Sequence, residues 1–341
     1  MRIGILRADP AHEASRARRD RSGRIDTDGL DHGIARLEAT GLAVQAVLES
    51  DGYTVVSLPV NSGLAGELVR SGLDLVFNTY FGPARRQDQA HVASTLEYTG
   101  VPFSGGSAAC HFIGLSKPLS KRLFQAFGLP TSRFFVAGDG DAAAAEAASL
   151  EESSGLRFPL IVKAPGEGEG IGIDERSVVE SRADLAAAVA RVVQRFCQPA
   201  LVEEFLPGRE FTVGVLDGEV PRALPVLEIV LAPGQTFSHT VKLAEAVPEV
   251  CPAAIDASEA DRMNALAIRA GRALGCRDCW RVDFRMDSAG NPLILEVNTL
   301  PGLQPGYSDL TRMAGPAGIG YDGLVREILE SAVRFTRRKP S

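Results

Sequence analysis

The chain has 341 residues, of which 45% are hydrophobic and 23% are charged, and it carries a formal net charge of −7. These values are typical of a globular protein with roughly two or three structural units. The acidic balance argues against a nucleic-acid-binding protein, although a run of arginines lies between positions 16 and 24. The segment MRIGILRADP has too short an apolar run for a signal peptide or a membrane span. We therefore expect a cytoplasmic protein that binds neither nucleic acid nor membranes.

The first hundred residues alternate between strand-like and helix-like segments. The strands are RIGIL, YTVVSLPV and LDLVFNTY, and the helices are GLAVQAVLESDG and HVASTLEYTG. Such alternation predicts a parallel sheet with helices on its faces, and we assign residues 1–106 to this α/β domain. Residues 8–33 are predicted to form a long polar loop after the first strand, where open α/β sheets bind ligands.

The remainder of the chain has an α+β pattern, which we divide into a central lobe, 107–205, and a C-terminal lobe, 206–341. In the central lobe a helix from Lys117 to Phe127 and an Ala-rich helix precede the strand FPLIVK, the loop APGEGEG and the strand PALVEEFL. In the C-terminal lobe REFTVGVLDGEV contains a DG hairpin turn, and a long loop covers 232–254. The strands WRVDFRM and PLILEVN and an amphipathic helix follow.

The segment WRVDFRMDSAGNPLILEVN is predicted to form a β-hairpin that turns at Ala289 and Gly290. This turn would set Val282 opposite Val297, Phe284 opposite Leu295, and Met286 opposite Leu293. These apolar pairs indicate the face that packs in the core.

The other face of the same hairpin is polar, with Asp283 opposite Glu296 and Arg281 opposite Asn298. Carboxylates at cross-strand distance repel each other unless a proton or a cation lies between them. Together with the Asn298 amide they form an all-oxygen set, which selects Mg²⁺ or Mn²⁺ rather than Zn²⁺. The alternative is a polar face exposed to solvent.

Three further patterns are weaker when taken singly. Glycines alternate at 166, 168, 170 and 172, in a loop that either covers phosphates or is a flexible hairpin tip. In LVEEFLPGREFTV, glutamates lie on both sides of the turn LPG. A carboxylate there can bind ribose hydroxyls, and the adjacent strand edge can offer backbone groups to adenine. Cys276 and Cys279 form a C-x-x-C, for which we favour a structural role over a redox or zinc site, because no second pair accompanies it. Lysine is rare beside arginine, occurring at Lys117, Lys121, Lys163, Lys242 and Lys339.

Taken together, several segments resemble the ATP-grasp superfamily and, within it, the D-alanine:D-alanine ligase group. They are GLSKPLSKRLF, FPLIVKAPGEGEGIGI, LVEEFLPGREFTVGVL and LGCRDCWRVDFRMDSAGNPLILEVNTLPGL. The resemblance implies the ATP-grasp fold, in which a parallel-sheet domain on the substrate side precedes two α+β lobes that hold ATP between them. It also implies an enzyme that uses ATP and two Mg²⁺ ions, with Mn²⁺ as a possible substitute.

The resemblance assigns a role to each matching residue. For ATP, the lysines that hold the phosphates are Lys117 and Lys163, and the loop that covers the phosphates contains Glu169, Gly170 and Ile171. The stretch that contacts adenine contains Glu203, Glu204 and Leu206, and Glu210 contacts the ribose. For the metal, the ligands are Asp283, Glu296 and Asn298. For catalysis, Arg281 and the N–H of Gly302 stabilise the tetrahedral intermediate, and Lys242 faces the transferred phosphate.

The chain departs from this family at the substrate loops. It lacks the Glu-Arg-Glu-Val-Ser-like run that clamps the donor ammonium, for which Glu13 and Glu38 are the candidate substitutes. FNTYFGPARRQDQ replaces a His-Gly run, and QPGYSDLTRMA is longer than the acceptor loop of the family. Tyr307 and Ser308 are the candidate substrate contacts in that loop.

We therefore predict a carboxylate–amine ligase that forms a dipeptide or related amide through an acylphosphate. We expect its partners to be a small-molecule carboxylate donor and an amine acceptor, both amino acids, in the synthesis of a specialised metabolite such as an antibiotic. One alternative is the housekeeping D-alanine:D-alanine ligase of cell-wall synthesis. Another is a non-catalytic ATP-binding regulator. The resemblance also predicts a homodimer.

Overall fold

A computed structural model of the chain describes residues 1–17, 27–168, 170–231 and 247–338. Two residues of the predicted site, Glu169 and Lys242, lie outside the described residues. Most of the arginine run between positions 16 and 24 also lies outside them. None of the helices within the described ranges is long and apolar enough to cross a membrane.

The N-terminal sheet is parallel, as the alternation of strands and helices predicts. Strand β1 (Arg2–Ala8) lies between β2 (Thr54–Val60) and β3 (Leu75–Phe77). The accompanying helices are α1 (Pro10–Arg16), α2 (Thr27–Ser50), α3 (Leu64–Arg70) and α4 (Asp88–Thr99).

The prediction of a long polar loop over residues 8–33 is wrong at both of its ends. Helix α1 begins directly after β1, because the Asp9 side chain accepts a hydrogen bond from the N–H of His12 and Pro10 fits the first turn. Helix α2 begins at Thr27, well before the predicted apolar stretch. Residues 10–16 and 27–33 of the predicted loop are therefore helical, and residues 18–26 lie outside the described residues.

The central sheet is antiparallel, with the strand order β4-β7-β5-β6. Its strands are β4 (Phe134–Ala137), β5 (Leu160–Lys163), β6 (Val178–Val179) and β7 (Ala200–Glu204). Helices α5 (Ala108–Leu115) and α6 (Lys117–Ala126) precede it, and α7 (Gly140–Ser154) and α8 (Arg182–Phe196) pack on one face of it. The opposite face carries Lys163 and Glu203, and Glu203 is buried against Lys121 of α6. We call the region between this face and the strands that carry Asp283 and Glu296 the cleft.

Among the described residues, the C-terminal sheet has six strands, in the order β11-β10-β8-β12-β13 with β9 paired to β8. Its strands are β8 (Glu210–Leu216), β9 (Arg222–Ala223), β10 (Leu227–Ile229), β11 (Glu249–Val250), β12 (Cys279–Met286) and β13 (Pro292–Asn298). Its helices are α9 (Ala257–Leu274), α10 (Asp309–Ala314) and α11 (Gly320–Arg338).

Residues from both ends of the chain share one hydrophobic core. Ile5 of β1 and Val44 of α2 belong to the same buried cluster as Leu216 of β8 and Ile328 of α11. A separate cluster lies between the central sheet and α7 and α8. We propose on this basis that 1–106 and 206–341 move as one body against the central part of the predicted lobe 107–205.

The hairpin of β12 and β13 has the predicted pairing only near its open end. Asp283 pairs with Glu296, as predicted, but the register then shifts and Phe284 pairs with Ile294 instead of Leu295. A β-bulge inserts one residue and turns the following side chains to the other face. Ile294 is therefore fully buried, and Leu295 is only half-buried, opposite to the predicted core face.

Candidate active site

Asp283 lies at the centre of the polar face of the β12–β13 hairpin. Its carboxylate accepts two hydrogen bonds from Arg281, with Nε–Oδ1 at 2.9 Å and Nη2–Oδ2 at 3.0 Å. Thr212 of β8 donates to Oδ1 at 2.6 Å, and the Asn298 amide donates to Oδ2 at 2.8 Å. Because three strands supply these donors, the Asp283 carboxylate is held in one orientation.

Glu296, opposite Asp283, links the hairpin to the glycine-rich loop through Lys117. The Lys117 ammonium lies 2.8 Å from Glu296 Oε2 and donates to the carbonyl of Glu167 at 2.8 Å. Burial alone raises the pKa of Glu296, but the positive charges of Lys117 and Arg86 outweigh it and lower this pKa to about 2. The Glu296 carboxylate is thus charged at every physiological pH.

The residues of this hairpin fit a hard divalent cation. The oxygens of Asp283 and Glu296 converge from paired positions on adjacent strands. The Asn298 amide nitrogen is used on Asp283, and its oxygen accepts no hydrogen bond from any residue in the described ranges, so that oxygen is available to an ion. The described residues contain no group of three His, Cys, Asp or Glu that would hold a metal by themselves. Oxygens of a bound phosphate would therefore have to complete the coordination of Mg²⁺.

Glu203 of β7 is clamped between two lysines on the opposite side of the cleft. Its Oε1 lies 2.7 Å from the ammonium of Lys121, and its Oε2 lies 2.9 Å from the ammonium of Lys163. Lys121 also donates to the hydroxyls of Thr131 and Ser132. Burial raises the pKa of Glu203, but the two lysines outweigh it and hold this pKa well below its usual value. The Glu203 side chain thus fixes Lys163 in the cleft.

Glu204 and Leu206 are the other two residues predicted to lie beside adenine. The Glu204 carboxylate pairs with Arg133 at 2.9 Å on the protein surface, and Leu206 is buried. Since the carboxylates of Glu203 and Glu204 are both engaged in ion pairs, we expect adenine to meet backbone groups beyond the end of β7. This contact stays a prediction.

Glu210 of β8 is buried beside Arg285 of β12, whose Nη1 lies 3.3 Å from Oε2. Burial raises the pKa of Glu210 to about 7, and the positive charge of Arg285 acts against this shift. Glu210 therefore changes charge near neutral pH while it faces the cleft where ribose is predicted to bind.

This shift predicts a pH dependence of stability. Because the pKa of Glu210 is higher in the folded chain than in the unfolded chain, its protonation stabilises the fold below about pH 4.5, and this contribution is lost as the pH rises through 7. Glu210→Gln keeps the neutral form. We expect the free energy of unfolding of the variant, relative to the parent, to rise by about 1–3 kcal/mol between pH 5 and 8 in urea titrations. Parallel pH curves for the two proteins would contradict the shift.

The glycine-rich loop connects β5 to β6 beside these groups. Gln198 accepts a hydrogen bond from the N–H of Gly166 at 2.8 Å, and the Ile171 N–H donates to the carbonyl of Gly168 at 2.9 Å. Gly170 has φ +72°, a conformation that glycine adopts without strain. The predicted covering-loop residues Gly170 and Ile171 therefore lie in a tight turn next to Lys117.

Arg281 also connects the hairpin to the loop that follows β13. Its Nη1 lies 2.7 Å from Asp309 Oδ2. Burial would lower the pKa of Arg281, but the carboxylates of Asp283 and Asp309 outweigh it and raise this pKa. The guanidinium is therefore permanently charged and fixed by carboxylates on two sides.

Residues 123–330 match the family model described as D-ala D-ala ligase C-terminus. The chain belongs to the D-alanine:D-alanine ligase family. As a member, it is an ADP-forming ligase that makes a carbon–nitrogen bond, as predicted, and the alternative of a non-catalytic ATP-binding regulator finds no support.

Two relatives and one solved structure show how far the similarity extends. The D-alanine–D-alanine ligase of Desulforudis audaxviator is 35% identical over 294 residues, covering 86% of this chain and 92% of the relative. That of Herminiimonas arsenicoxydans is 36% identical over 309 residues, covering 89% and 88%. The structure of D-alanine–D-alanine ligase from Bacillus anthracis complexed with ATP matches all of both chains, with a TM-score of 0.72 and 24% identity. The last comparison confirms the predicted ATP-grasp fold.

The acceptor-side loop of this ligase brings the remaining predicted residues together. A Cβ added at Gly302 would lie 2.6 Å from Ser308 Oγ, which accepts a hydrogen bond from the N–H of Gln304 at 3.0 Å. The Tyr307 ring lies 4.7 Å from the guanidinium carbon of Arg36 in α2. Gly302, Tyr307 and Ser308 thus lie in one loop, and Gly302 leaves space that any side chain would fill.

Neither of the two candidate substitutes for the donor-clamping glutamate of the ligase family is free. Glu13 is fully buried and accepts hydrogen bonds from the Tyr80 hydroxyl and from the N–H of Ala84 at 3.1 Å. Glu38 is partly exposed, 4.0 Å from Arg7. Glu13 therefore shapes the loop after β3, and the ligand of the donor ammonium stays unassigned.

The structural role that we favoured for the C-x-x-C motif stays a prediction, which the burial of both thiols supports. Cys276 and Cys279 are buried, and Cys276 Sγ contacts Cys110 of α5 at 3.6 Å instead of Cys279. Burial raises the pKa of the Cys279 thiol, which disfavours the thiolate that redox chemistry or metal binding requires.

Sequence reasoning missed four residues that support the site, namely Thr212, Lys121, Arg285 and Arg86. Lys121 had a usable signal, since it is one of few lysines in a chain that otherwise uses arginine. Arg285 also had one, because alternation along β12 places it on the same face as Arg281 and Asp283. Arg86 lies in a loop that differs from the ligase family, so the resemblance assigned it nothing.

Proposed function

We propose that this enzyme joins two D-alanine molecules, with cleavage of ATP to ADP and phosphate, as a housekeeping ligase of cell-wall synthesis. The position of Lys117 carries the proposal, because it contacts both the metal-side Glu296 and the glycine-rich loop. The site for phosphates and the site for a cation are thereby adjacent. The names of the curated relatives support D-alanine as the substrate. Our expectation of a specialised metabolite has no such support.

The proposed reaction begins with the carboxylate of the first amino acid. A carboxylate oxygen attacks the γ-phosphorus of ATP, the bond to the β–γ bridging oxygen breaks, and ADP leaves an acylphosphate. Lys117 and Lys163 would bind the phosphates, and Lys242 belongs to the same predicted set. When bound, Mg²⁺ would neutralise phosphate charge, and Asp283, Glu296 and Asn298 are the residues that would hold it.

The amine of the second amino acid then attacks the acyl carbon. A tetrahedral oxyanion forms, the attacking nitrogen loses a proton to solvent, and the oxyanion collapses with loss of phosphate to leave the new C–N bond. Arg281 and the N–H of Gly302 are the proposed donors to that oxyanion. Arg281 suits this role because Asp283 and Asp309 hold its guanidinium in place before substrate arrives.

Product analysis tests the proposed substrates. ADP release is measured with D-alanine, with L-alanine and with a pooled amino-acid library, and the products are identified by mass spectrometry. We expect D-alanine alone to support turnover and to give D-alanyl-D-alanine. Turnover only with other amino acids from the pool would overturn the D-alanine assignment and restore the specialised ligase. We also propose that the enzyme works in the cytoplasm as a homodimer, which light scattering of the purified protein tests.

A further inference from the structure

Arg86 reaches from the N-terminal domain to the glycine-rich loop. It lies in the turn before α4, and its guanidinium rests on the backbone of Gly168. A Cβ added at Gly168 would lie 1.9 Å from Nη1 of Arg86 and 2.2 Å from its Cζ. This contact joins the domain on the substrate side to the loop predicted to cover the phosphates of ATP.

The turn that carries Arg86 is fixed by buried polar contacts. Asp88 accepts a hydrogen bond from Arg16 Nε at 2.9 Å. The Gln89 amide donates to Thr299 Oγ1 at 3.2 Å, and Thr299 directly follows the predicted metal ligand Asn298. Arg86 is therefore held at a defined position relative to β13, before any ligand binds.

The guanidinium of Arg86 has no hydrogen-bond or ion-pair partner among the residues that the structure describes, although it is half-buried. Its neighbours differ, since Arg85 donates to the carbonyl of Arg16 and Arg16 pairs with Asp88. A guanidinium has several N–H donors in a planar fork that matches phosphate and carboxylate oxygens. A half-buried guanidinium that no described residue pairs with is suited to an anionic ligand.

The surroundings identify which anion is favoured. Arg86 touches the loop that covers phosphates, and its charge acts on Glu296, the residue that Lys117 also contacts. The predicted acceptor loop, by contrast, contacts a different arginine, since the Tyr307 ring lies against Arg36 of α2. The position of Arg86 thus matches the phosphoryl group between ATP and the first substrate.

We propose that Arg86 is a further catalytic residue, which binds the phosphoryl oxygens during transfer from ATP to the carboxylate of the first amino acid. This proposal rests on the ligase reaction proposed above but not on the identity of the amino acids. The carboxylate oxygen forms its bond to phosphorus as the bond to ADP breaks, and Arg86 donates hydrogen bonds without transferring a proton. Its charge offsets the negative charge of the equatorial oxygens.

Arg86→Gln tests the proposal, with Arg86→Lys and the neighbouring Arg85→Gln as matched variants. We expect Arg86→Gln to lower kcat by about 10²–10³-fold, as for the loss of other donors to a transition state, with amino-acid KM values little changed. Arg86→Lys should recover part of this loss because it keeps the charge. Arg85→Gln should stay within about twofold, since that side chain is exposed. Melting curves check that all variants are folded.

Trapping of the acylphosphate with hydroxylamine locates the affected step. We expect the rate of hydroxamate formation to fall in Arg86→Gln by the same factor as kcat. An unchanged kcat would overturn the proposal. A rise confined to the KM of one amino acid would also overturn it, because it would show that Arg86 binds that amino acid and not the phosphoryl group. The ratio of variant to parent is measured with whichever amino acids the parent accepts. Failure of D-alanine as a substrate is therefore recognised separately from failure of the role of Arg86.

Discussion

Asp283→Asn is expected to lower kcat by about 10²–10³-fold or more, because one neutral substitution removes the charge of a proposed metal ligand, and this charge also holds Arg281. The Asn side chain still fits between Thr212 and Asn298, so the fold should be retained. The Mg²⁺ concentration needed for half-maximal ADP release should rise in the same variant. Steady-state kinetics over a Mg²⁺ series measures both effects.

The control for Asp283→Asn is Asp287→Asn in the hairpin turn of the same two strands. Asp287 accepts hydrogen bonds from the N–H groups of Ala289 and Asn291, and an amide oxygen accepts them equally well. We expect this control to change kcat by less than about twofold. If Asp283→Asn lost less than tenfold in kcat and kept the same Mg²⁺ dependence, the hairpin would not be the metal site.

Glu203→Gln is expected to lower the free energy of unfolding by about 3–5 kcal/mol, because it leaves the buried Lys121 ammonium without its counter-charge. The pKa of Glu203 is lower in the folded chain than its ordinary value of 4.5. Its contribution to stability is therefore fully present above about pH 4.5 and is lost as the pH falls below that value. Urea unfolding at pH 7 measures the loss, and the variant should be less sensitive to acid than the parent.

The adjacent Glu204→Gln is the matched control for Glu203→Gln. Glu204 pairs with Arg133 at the surface, where such a pair contributes less than about 1 kcal/mol. A double-mutant cycle with Lys121→Met then isolates the coupling between Glu203 and Lys121. Equal losses for Glu203→Gln and Glu204→Gln would show that Lys121 is not held by Glu203.

The fold and half of the site follow from local patterns in the sequence. Alternating strands and helices predicted the parallel N-terminal sheet, and the period of β12 and β13 predicted that Asp283 faces Glu296. Both depend on neighbours along the chain or across one short turn. The register beyond Asp283 was not predictable in this way, because a bulge changes facing without leaving a clear signal in residue type.

The support of the site could not be predicted from the sequence alone. Nothing near Lys121 in the sequence points to Glu203, which is far along the chain, and the two meet only because α6 packs beside the central sheet. Glu13 was a candidate substrate ligand by residue type, yet Tyr80 and the N–H of Ala84 occupy its carboxylate. Residue type states what a group can bind, whereas packing decides whether its partner is protein or ligand.

The sequence by itself determined the family, the ATP-grasp fold and the residues with the chemistry for phosphate and metal. Only the tertiary structure decided which charges are paired within the described part of the chain, as those of Lys121 and Glu203 are, and which have no partner there, as is the case for Arg86. The physical reason is that a charge in a partly buried site takes its role from every group within a few ångströms. Those groups come from segments that are distant in sequence, and folding alone brings them together.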